Sequence, residues 1–121
     1  MERWEIAIIG AGAAGLMAAQ AAAKAQRAQG RPVSVVVLEG NPKPGKKLLA
    51  TGNGRCNLTN RNAAPEHYHS ADTARLADIL ERTPPDAVLD FFGEMGLLCD
   101  TQADGRVYPY CYQASMVLDV L

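Results

Sequence analysis

Trp4-Glu5-Ile6-Ala7-Ile8-Ile9-Gly10-Ala11-Gly12-Ala13-Ala14-Gly15 is the stretch that decides the fold. Its first six residues are a short, mostly apolar run halted by glycine, which suits a strand buried on both faces. Ala13 to Gln29 is alanine-rich, lacks proline and is followed by Gly30, so it reads as a helix closed by a left-handed turn. Val33-Ser34-Val35-Val36-Val37-Leu38 is then a second, β-branched strand. Strand, helix and strand within residues 1–39 make a βαβ unit, with parallel strands and a right-handed crossover.

Gly10-Ala11-Gly12-Ala13-Ala14-Gly15 is a G-x-G-x-x-G placed between that strand and that helix. Gly10 permits the tight turn, Gly12 lets backbone approach a pyrophosphate, and Gly15 allows the helix to pack closely on the strand, with Ala19 keeping the same face small. Ala13 and Ala14 open the helix, whose unpaired N–H groups and positive dipole end favour a diphosphate. The second strand ends in Glu39, next to Gly40, where a carboxylate would hold a ribose 2′-hydroxyl. Glycines, element order and terminal acid together predict dinucleotide binding, and the acid's repulsion of a 2′-phosphate favours FAD or NAD over NADP.

From Gly40 to Pro65 periodicity vanishes and Gly, Pro, Asn and Lys dominate, which predicts one long functional loop over residues 40–65. Gly40-Asn41-Pro42-Lys43-Pro44-Gly45-Lys46-Lys47 nearly matches a P-loop, but Lys47 stands where a hydroxyl should bind magnesium, and Pro42 and Pro44 lack N–H donors. Thr51-Gly52-Asn53-Gly54-Arg55-Cys56-Asn57 is rich in groups able to hydrogen-bond a phosphate, ribitol or flavin edge. Residues 66–96 read as helical. Leu76, Ile79 and Leu80 mark a helix over 72–82, and Thr83 with Asp86 caps a second one from Pro84-Pro85 to Met95, stopped by Gly96. In 97–121, Leu97–Thr101 and Arg106–Tyr110 flank Asp104-Gly105 as a hairpin, and a helix begins at Ala114. That helix stops at Leu121 without a terminator, and a two-stranded parallel sheet leaves both edges unpaired, so the sequence reads as the front part of a longer polypeptide.

Composition bounds what the chain can be. Its 121 residues are 48% hydrophobic and 21% charged with a formal net charge of -1, which excludes a disordered tail and any global attraction to nucleic acid or anionic lipid. The length suffices for one core, or part of one. The start lacks the form of a secretory signal, no stretch can span a bilayer, and Cys56, Cys99 and Cys111 form no C-x-x-C pair, so the expected compartment is the cytoplasm with reduced thiols.

Gly10 to Ala19, then VVVLEGNPKPGKKLLATGNGRCNLTN, FFGEMGL and GRVYPYCYQASMVLDVL, resemble in order the N-terminal part of the BaiN-like (YhiN-type) family of NAD(P)/FAD-dependent oxidoreductases. GKKLLATGNGRCNLTN is the narrow part of the match; the glycine turn is generic to many flavoproteins. The resemblance implies an α/β, Rossmann-like FAD-binding domain whose first βαβ unit holds the ADP half of FAD, with NAD(P)H as a candidate electron donor. Gly10, Gly12 and Gly15 match the family's pyrophosphate turn, Glu39 its ribose acid, and Lys46, Lys47 and Thr51 to Asn57 its basic glycine-rich loop. It further implies that this chain is about the first third of the whole protein and inactive alone. Cys111 departs from the serine expected after the aromatic-proline pair.

The remaining candidates carry less. Cys56 lacks a partner thiol and reads as a small residue packed near the cofactor; catalytic residues and the small-molecule substrate are not legible. His67 and His69 read as surface residues rather than metal ligands, so no metal site is expected. Phe91, Phe92, Met95 and Leu97 read as core. Two rival readings are an NAD-binding dehydrogenase segment without flavin, and a non-enzymatic module, either a truncated remnant or an RNA-binding fragment using the basic loop with Lys43, Lys46, Lys47, Arg55 and Arg61. The second suffers from the lack of interleaved aromatics. Self-association through the unpaired sheet edges is a further expectation.

Overall fold

The computed structural model describes residues 2–121. Its elements are β1 (Ile6–Ile9), α1 (Ala13–Ala28), β2 (Val35–Leu38), α2 (Lys46–Ala50), β3 (Thr59–Asn60), α3 (Thr73–Arg82), α4 (Pro85–Glu94), β4 (Cys99–Thr101), β5 (Arg106–Pro109) and α5 (Ala114–Val120), with 3₁₀ turns at Thr51–Gly54 and Pro65–His67. They make up two units: residues 2–50 with Leu121, and residues 51–120.

The first unit is the expected βαβ. β1 and β2 run parallel, from Ile6 opposite Val35 to Ile9 opposite Leu38. α1 lies on one face, where Ala19 and Ala23 line a shallow cleft with Val35 and Val37. Close packing at the helix start demands glycine, because a Cβ on Gly15 would sit 1.9 Å from the Gly10 carbonyl oxygen. Burial of β1 on both faces does not occur. Ile9 is 79% and Leu38 51% exposed at the C-terminal end of the strand pair. The helix ends as predicted, with Gly30 left-handed at φ 68.

One polar residue of this unit lies where apolar periodicity alone would not put it. Gln26 on α1 is 3% exposed; its Nε2 donates to Glu5 Oε2 (3.0 Å) and its Oε1 accepts from Ser34 N (2.8 Å). Arg31 donates to the same Glu5 carboxylate. The amide thus ties the strand entrances to the helix and satisfies groups that would otherwise be buried unpaired.

The long loop expected over 40–65 is a correction. It contains α2, the turn Thr51–Gly54 and β3. Lys46-Lys47-Leu48-Leu49-Ala50 are good helix formers anchored by buried Leu48, but five residues are too few to show a period. β3 is two residues long, and only its pairing with β5 makes it a strand.

The second unit is built on a sheet ordered β3-β5-β4, antiparallel throughout. The hairpin forms at Asp104-Gly105, with Thr101 opposite Val107. Gly105 is left-handed (φ 85), and a Cβ there would meet Asn60 Oδ1 at 2.5 Å. The core gathers Val107 and Val117, both at 0% exposure, with Cys56, Phe92, Leu97, Tyr108 and Ala114. Phe91 packs edge-on against Phe92, centroids 5.3 Å apart. Asp72 caps α3 by accepting from Arg75 N (2.9 Å). The predicted Thr83 cap of α4 is not formed: Thr83 ends α3, and Pro84 is the N-cap with no side-chain bond. Proline presets the backbone geometry that the threonine was expected to supply. Gly96 ends α4 with φ 85.

Candidate functional site

β1 delivers Gly10 at its end, where φ 92 turns the chain and Gly10 N donates to Leu38 O at 2.7 Å. The next residue, Ala11, is 4% exposed and acts as the pivot of the turn. Its N–H donates to Glu39 Oε2 (2.7 Å), and its carbonyl accepts from Gly45 N (2.7 Å). Three sequence-distant segments are thereby joined at one alanine.

Gly12 is the N-cap of α1, extended at φ -81 and ψ -178, with no side-chain cap bond. The N–H groups opening α1, among them those of Ala13 and Ala14, therefore have neither a capping side chain nor an intrahelical acceptor. The three glycines differ in what they answer to. Gly10 is required by its left-handed backbone and Gly15 by the carbonyl it would strike. Gly12 has an ordinary φ, and a Cβ there would meet nothing within 4 Å. No protein atom demands glycine at this position, so the space is free for a ligand at the helix N-terminus.

Glu39 closes the same site from the end of β2. Its Oε1 accepts from Asn41 N (2.7 Å) and Asn41 Nδ2 (2.6 Å). The Asn41 and Ala11 amides hold its carboxyl below the usual carboxylate range, so it is an anion at neutral pH. Oε1 is filled by the two Asn41 donors, whereas Oε2 accepts only from Ala11 N and keeps one acceptor position for a hydroxyl donor. A cavity of about 400 Å³ is lined by Ala11, Gly12, Glu39, Asn41, Lys46, Lys47 and Ala50. Its size lies within the range of small-molecule sites, roughly 300–1,000 Å³. It brings Glu39 and two lysines beside the glycine turn, residue types able to take a ribose hydroxyl and phosphate oxygens together.

Of the residues singled out in the sequence, the structure brings Gly12, Glu39, Lys46 and Lys47 together around this cavity, with Gly10 in the turn and Ala13, Ala14 and Gly15 opening α1. Gly40 is exposed and does not line it. Sequence reasoning missed Ala11, Asn41, Gly45 and Ala50. The available signal was Pro44-Gly45 before a helix-forming run, which marks a turn feeding a short helix.

Thr51 to Asn57 belong to the second unit. Gly52 (φ 53), Asn53 (φ 55), Gly54 (φ 81) and Cys56 (φ 57) are all left-handed. The Gly52 position is crowded, since a Cβ would lie 3.1 Å from Asn57 N and 3.2 Å from Tyr108 Cε1. Cys56 is a buried free thiol whose N–H donates to Thr51 O (3.0 Å). Asn57, with its amide nitrogen toward the sheet, donates to Val107 O (3.1 Å) and Thr59 O (2.9 Å), which commits that group to structure.

A second cavity, of about 440 Å³, is lined by Asn60, Asn62, Ala63, His67, Tyr68 and Asp104. Several of its polar groups satisfy one another: Asn60 Oδ1 accepts from Asn62 N, and His67 Nδ1 lies 2.9 Å from Asn62 O. Among the described residues, no three or more His, Cys, Asp or Glu side chains gather as a metal site would require. No helix among them is long and apolar enough to cross a membrane. Arg61, one of the basic residues of 40–65, is paired with Asp86.

The HI0933-like protein Rossmann domain profile matches residues 4–121. The chain is 42% identical over 116 residues to a 3-dehydro-bile acid delta(4,6)-reductase of Clostridium scindens, covering 96% of this chain and 27% of that protein. It is 32% identical to a ribosomal RNA dihydrouridine synthase of Escherichia coli (89% of this chain, 26% of that protein) and 34% identical to one of Haemophilus influenzae (84% and 24%). The chain thus spans about a quarter of the length of these relatives, rather than the expected third. A Rossmann-type domain with parallel strands, a glycine turn and a reductase among its relatives places the chain plainly: it belongs to the HI0933-like Rossmann domain family, the family of BaiN- and YhiN-like proteins.

Proposed function

We propose that the first unit binds the ADP part of FAD, and that the whole protein is a flavin-dependent oxidoreductase. The observation that carries this reading is the cradle at Gly12, a glycine that no protein contact requires, at an uncapped helix N-terminus. The first-turn N–H groups of α1 bind the diphosphate, Glu39 Oε2 accepts from a ribose hydroxyl, and Lys46 and Lys47 neutralise phosphate charge. Thr51 to Asn57, in the second unit, are taken as a ligand-binding loop of that unit. The isoalloxazine, when bound, supplies the redox chemistry, and the protein supplies binding, orientation and electrostatics.

The relatives' names share one reaction type, since a delta(4,6)-reductase saturates carbon–carbon double bonds and a dihydrouridine synthase adds hydrogen across one in uridine. We infer the same type for the whole protein, with a reduced nicotinamide nucleotide as electron source.

The test is titration calorimetry of the chain with FAD, ADP, NAD and NADP, beside the Gly12→Val variant. Saturable binding of FAD and ADP, weaker binding of NADP and loss of binding in Gly12→Val are expected. Absence of any saturable FAD or ADP binding overturns the reading. Binding of NAD with none of FAD replaces it by a nicotinamide-dependent dehydrogenase segment.

A further inference from the structure

Arg55 is held on two sides. Its Nε donates to Gly52 O at 3.0 Å, and its guanidinium carbon lies 5.0 Å from the centroid of the Tyr108 ring. Tyr108 cannot drift, because it is 3% exposed, sits on β5 and packs against Tyr112 with centroids 5.8 Å apart. Tyr112 is fixed in turn: its hydroxyl donates to Asp100, and Gln102 Nε2 donates to both the Tyr112 hydroxyl (2.6 Å) and Asp100 Oδ2 (2.9 Å). The chain accepts a left-handed residue at Tyr112 (φ 55) to make this arrangement.

The Nη1 and Nη2 groups of Arg55 have no hydrogen-bond partner among the described residues, and the residue is exposed. A free arginine gains most by waving in water, whereas this one is oriented by a carbonyl and an aromatic face with its outer N–H fork unspent. A planar fork presented in this way matches the two oxygens of a phosphate or carboxylate. Glycine at 52 is part of the device, since a side chain there would press on the Tyr108 ring.

We propose that Arg55 is a pre-set oxyanion receptor and that Tyr108 is its positioning residue. This deepens the reading of Thr51 to Asn57 as a ligand loop, and it names the ligand chemistry as a phosphate or carboxylate group of the cofactor or of the substrate. The cluster Tyr108, Tyr112, Asp100 and Gln102 acts through Arg55 and touches no ligand itself.

The experiment is titration of the chain with inorganic pyrophosphate, and separately with succinate, while the arginine side-chain ¹⁵N–¹H signals are followed by NMR. Saturable shifts of the Arg55 signals are expected. Arg55→Lys, whose affinity is read from the backbone amide shifts of residues 52–57, keeps the charge but loses the fork and the Nε anchor, so affinity is expected to fall by about tenfold or more. Tyr108→Phe keeps the ring and is expected to bind as the parent does. Tyr108→Leu removes the platform and is expected to bind several-fold more weakly, with circular dichroism checking that the fold persists. Should that variant unfold, Tyr112→Leu, which keeps the Tyr108 ring but removes the side chain packed on it, takes its place with the same expected weakening, and parent-like binding there overturns the positioning role. An Arg55 signal that does not move with either anion, or equal affinity in Arg55→Lys, overturns the proposal. FAD titration of the same samples separates this outcome from failure of the cofactor reading, because anion binding at Arg55 without FAD binding leaves the receptor standing. Where FAD binds, its displacement of the anion from Arg55 assigns the receptor to the cofactor, and simultaneous binding assigns it to a substrate anion.

Discussion

At the residue scale, two glycines of one motif answer to different demands, and this yields a sharp test. Gly15→Ala puts a Cβ 1.9 Å from the Gly10 carbonyl, so urea denaturation should show a loss of about 3 kcal/mol or more. Gly12→Ala meets no protein atom and has an ordinary φ, so its stability should stay within about 0.5 kcal/mol of the parent. Its ADP affinity should nonetheless fall sharply by calorimetry, and unchanged ADP affinity would sink the cradle. Glu39 supplies a pH test. Its folded pKa lies below the ordinary 4.5 because the Asn41 and Ala11 amides favour the anion. Its contribution to stability is therefore complete above that ordinary value and is lost as pH falls through the folded pKa. The stability gap between the parent and Glu39→Gln should be widest near neutrality and close in acid; a gap independent of pH would show that the Ala11 bond does not discriminate between the charge states.

At the element scale, α1 shows how a helix reads from sequence and what escapes the reading. Its alanines, its glycine start and Gly30 were legible because they act through local backbone preferences. Gln26 was not, because its partners Glu5 and Ser34 are brought to it only by folding. Gln26→Leu fits the burial but strands the Ser34 N–H, so thermal or chemical denaturation should show a cost of about 1–3 kcal/mol; a neutral result would mean that Ser34 finds another partner. α2 and β3 escaped for a different reason. Two to five residues cannot display a period, and what makes them elements is burial of Leu48 and pairing with β5. The misplaced Thr83 cap is a third kind of miss, in which a proline that presets the backbone outcompetes a hydroxyl that would bond to it.

For the chain as a whole, the parallel pair β1–β2 leaves apolar side chains in water at its C-terminal end. Ile9 and Leu38 are register partners and both are more than half exposed, which makes an apolar pair at the open end of a two-stranded sheet. Sedimentation velocity of the chain should show association growing with concentration, reduced in the double variant Ile9→Lys with Leu38→Lys. A monomer at all concentrations would show that this apolar pair does not recruit a second copy.

The βαβ order, the glycine turn, the acid at Glu39, the hairpin at Gly105 and the closing turns at Gly30 and Gly96 are written in the amino-acid order, as is the resemblance to the family. All of these rest on local backbone geometry or on short spacings, which a one-dimensional chain records directly. Only the tertiary structure decided that Ala11 is the pivot bonded by Glu39 and Gly45, that Gln26 is buried, and that Tyr108 carries Arg55. These are meetings of groups far apart in sequence, and their energies depend on distance, burial and direction, which exist only once the chain has folded.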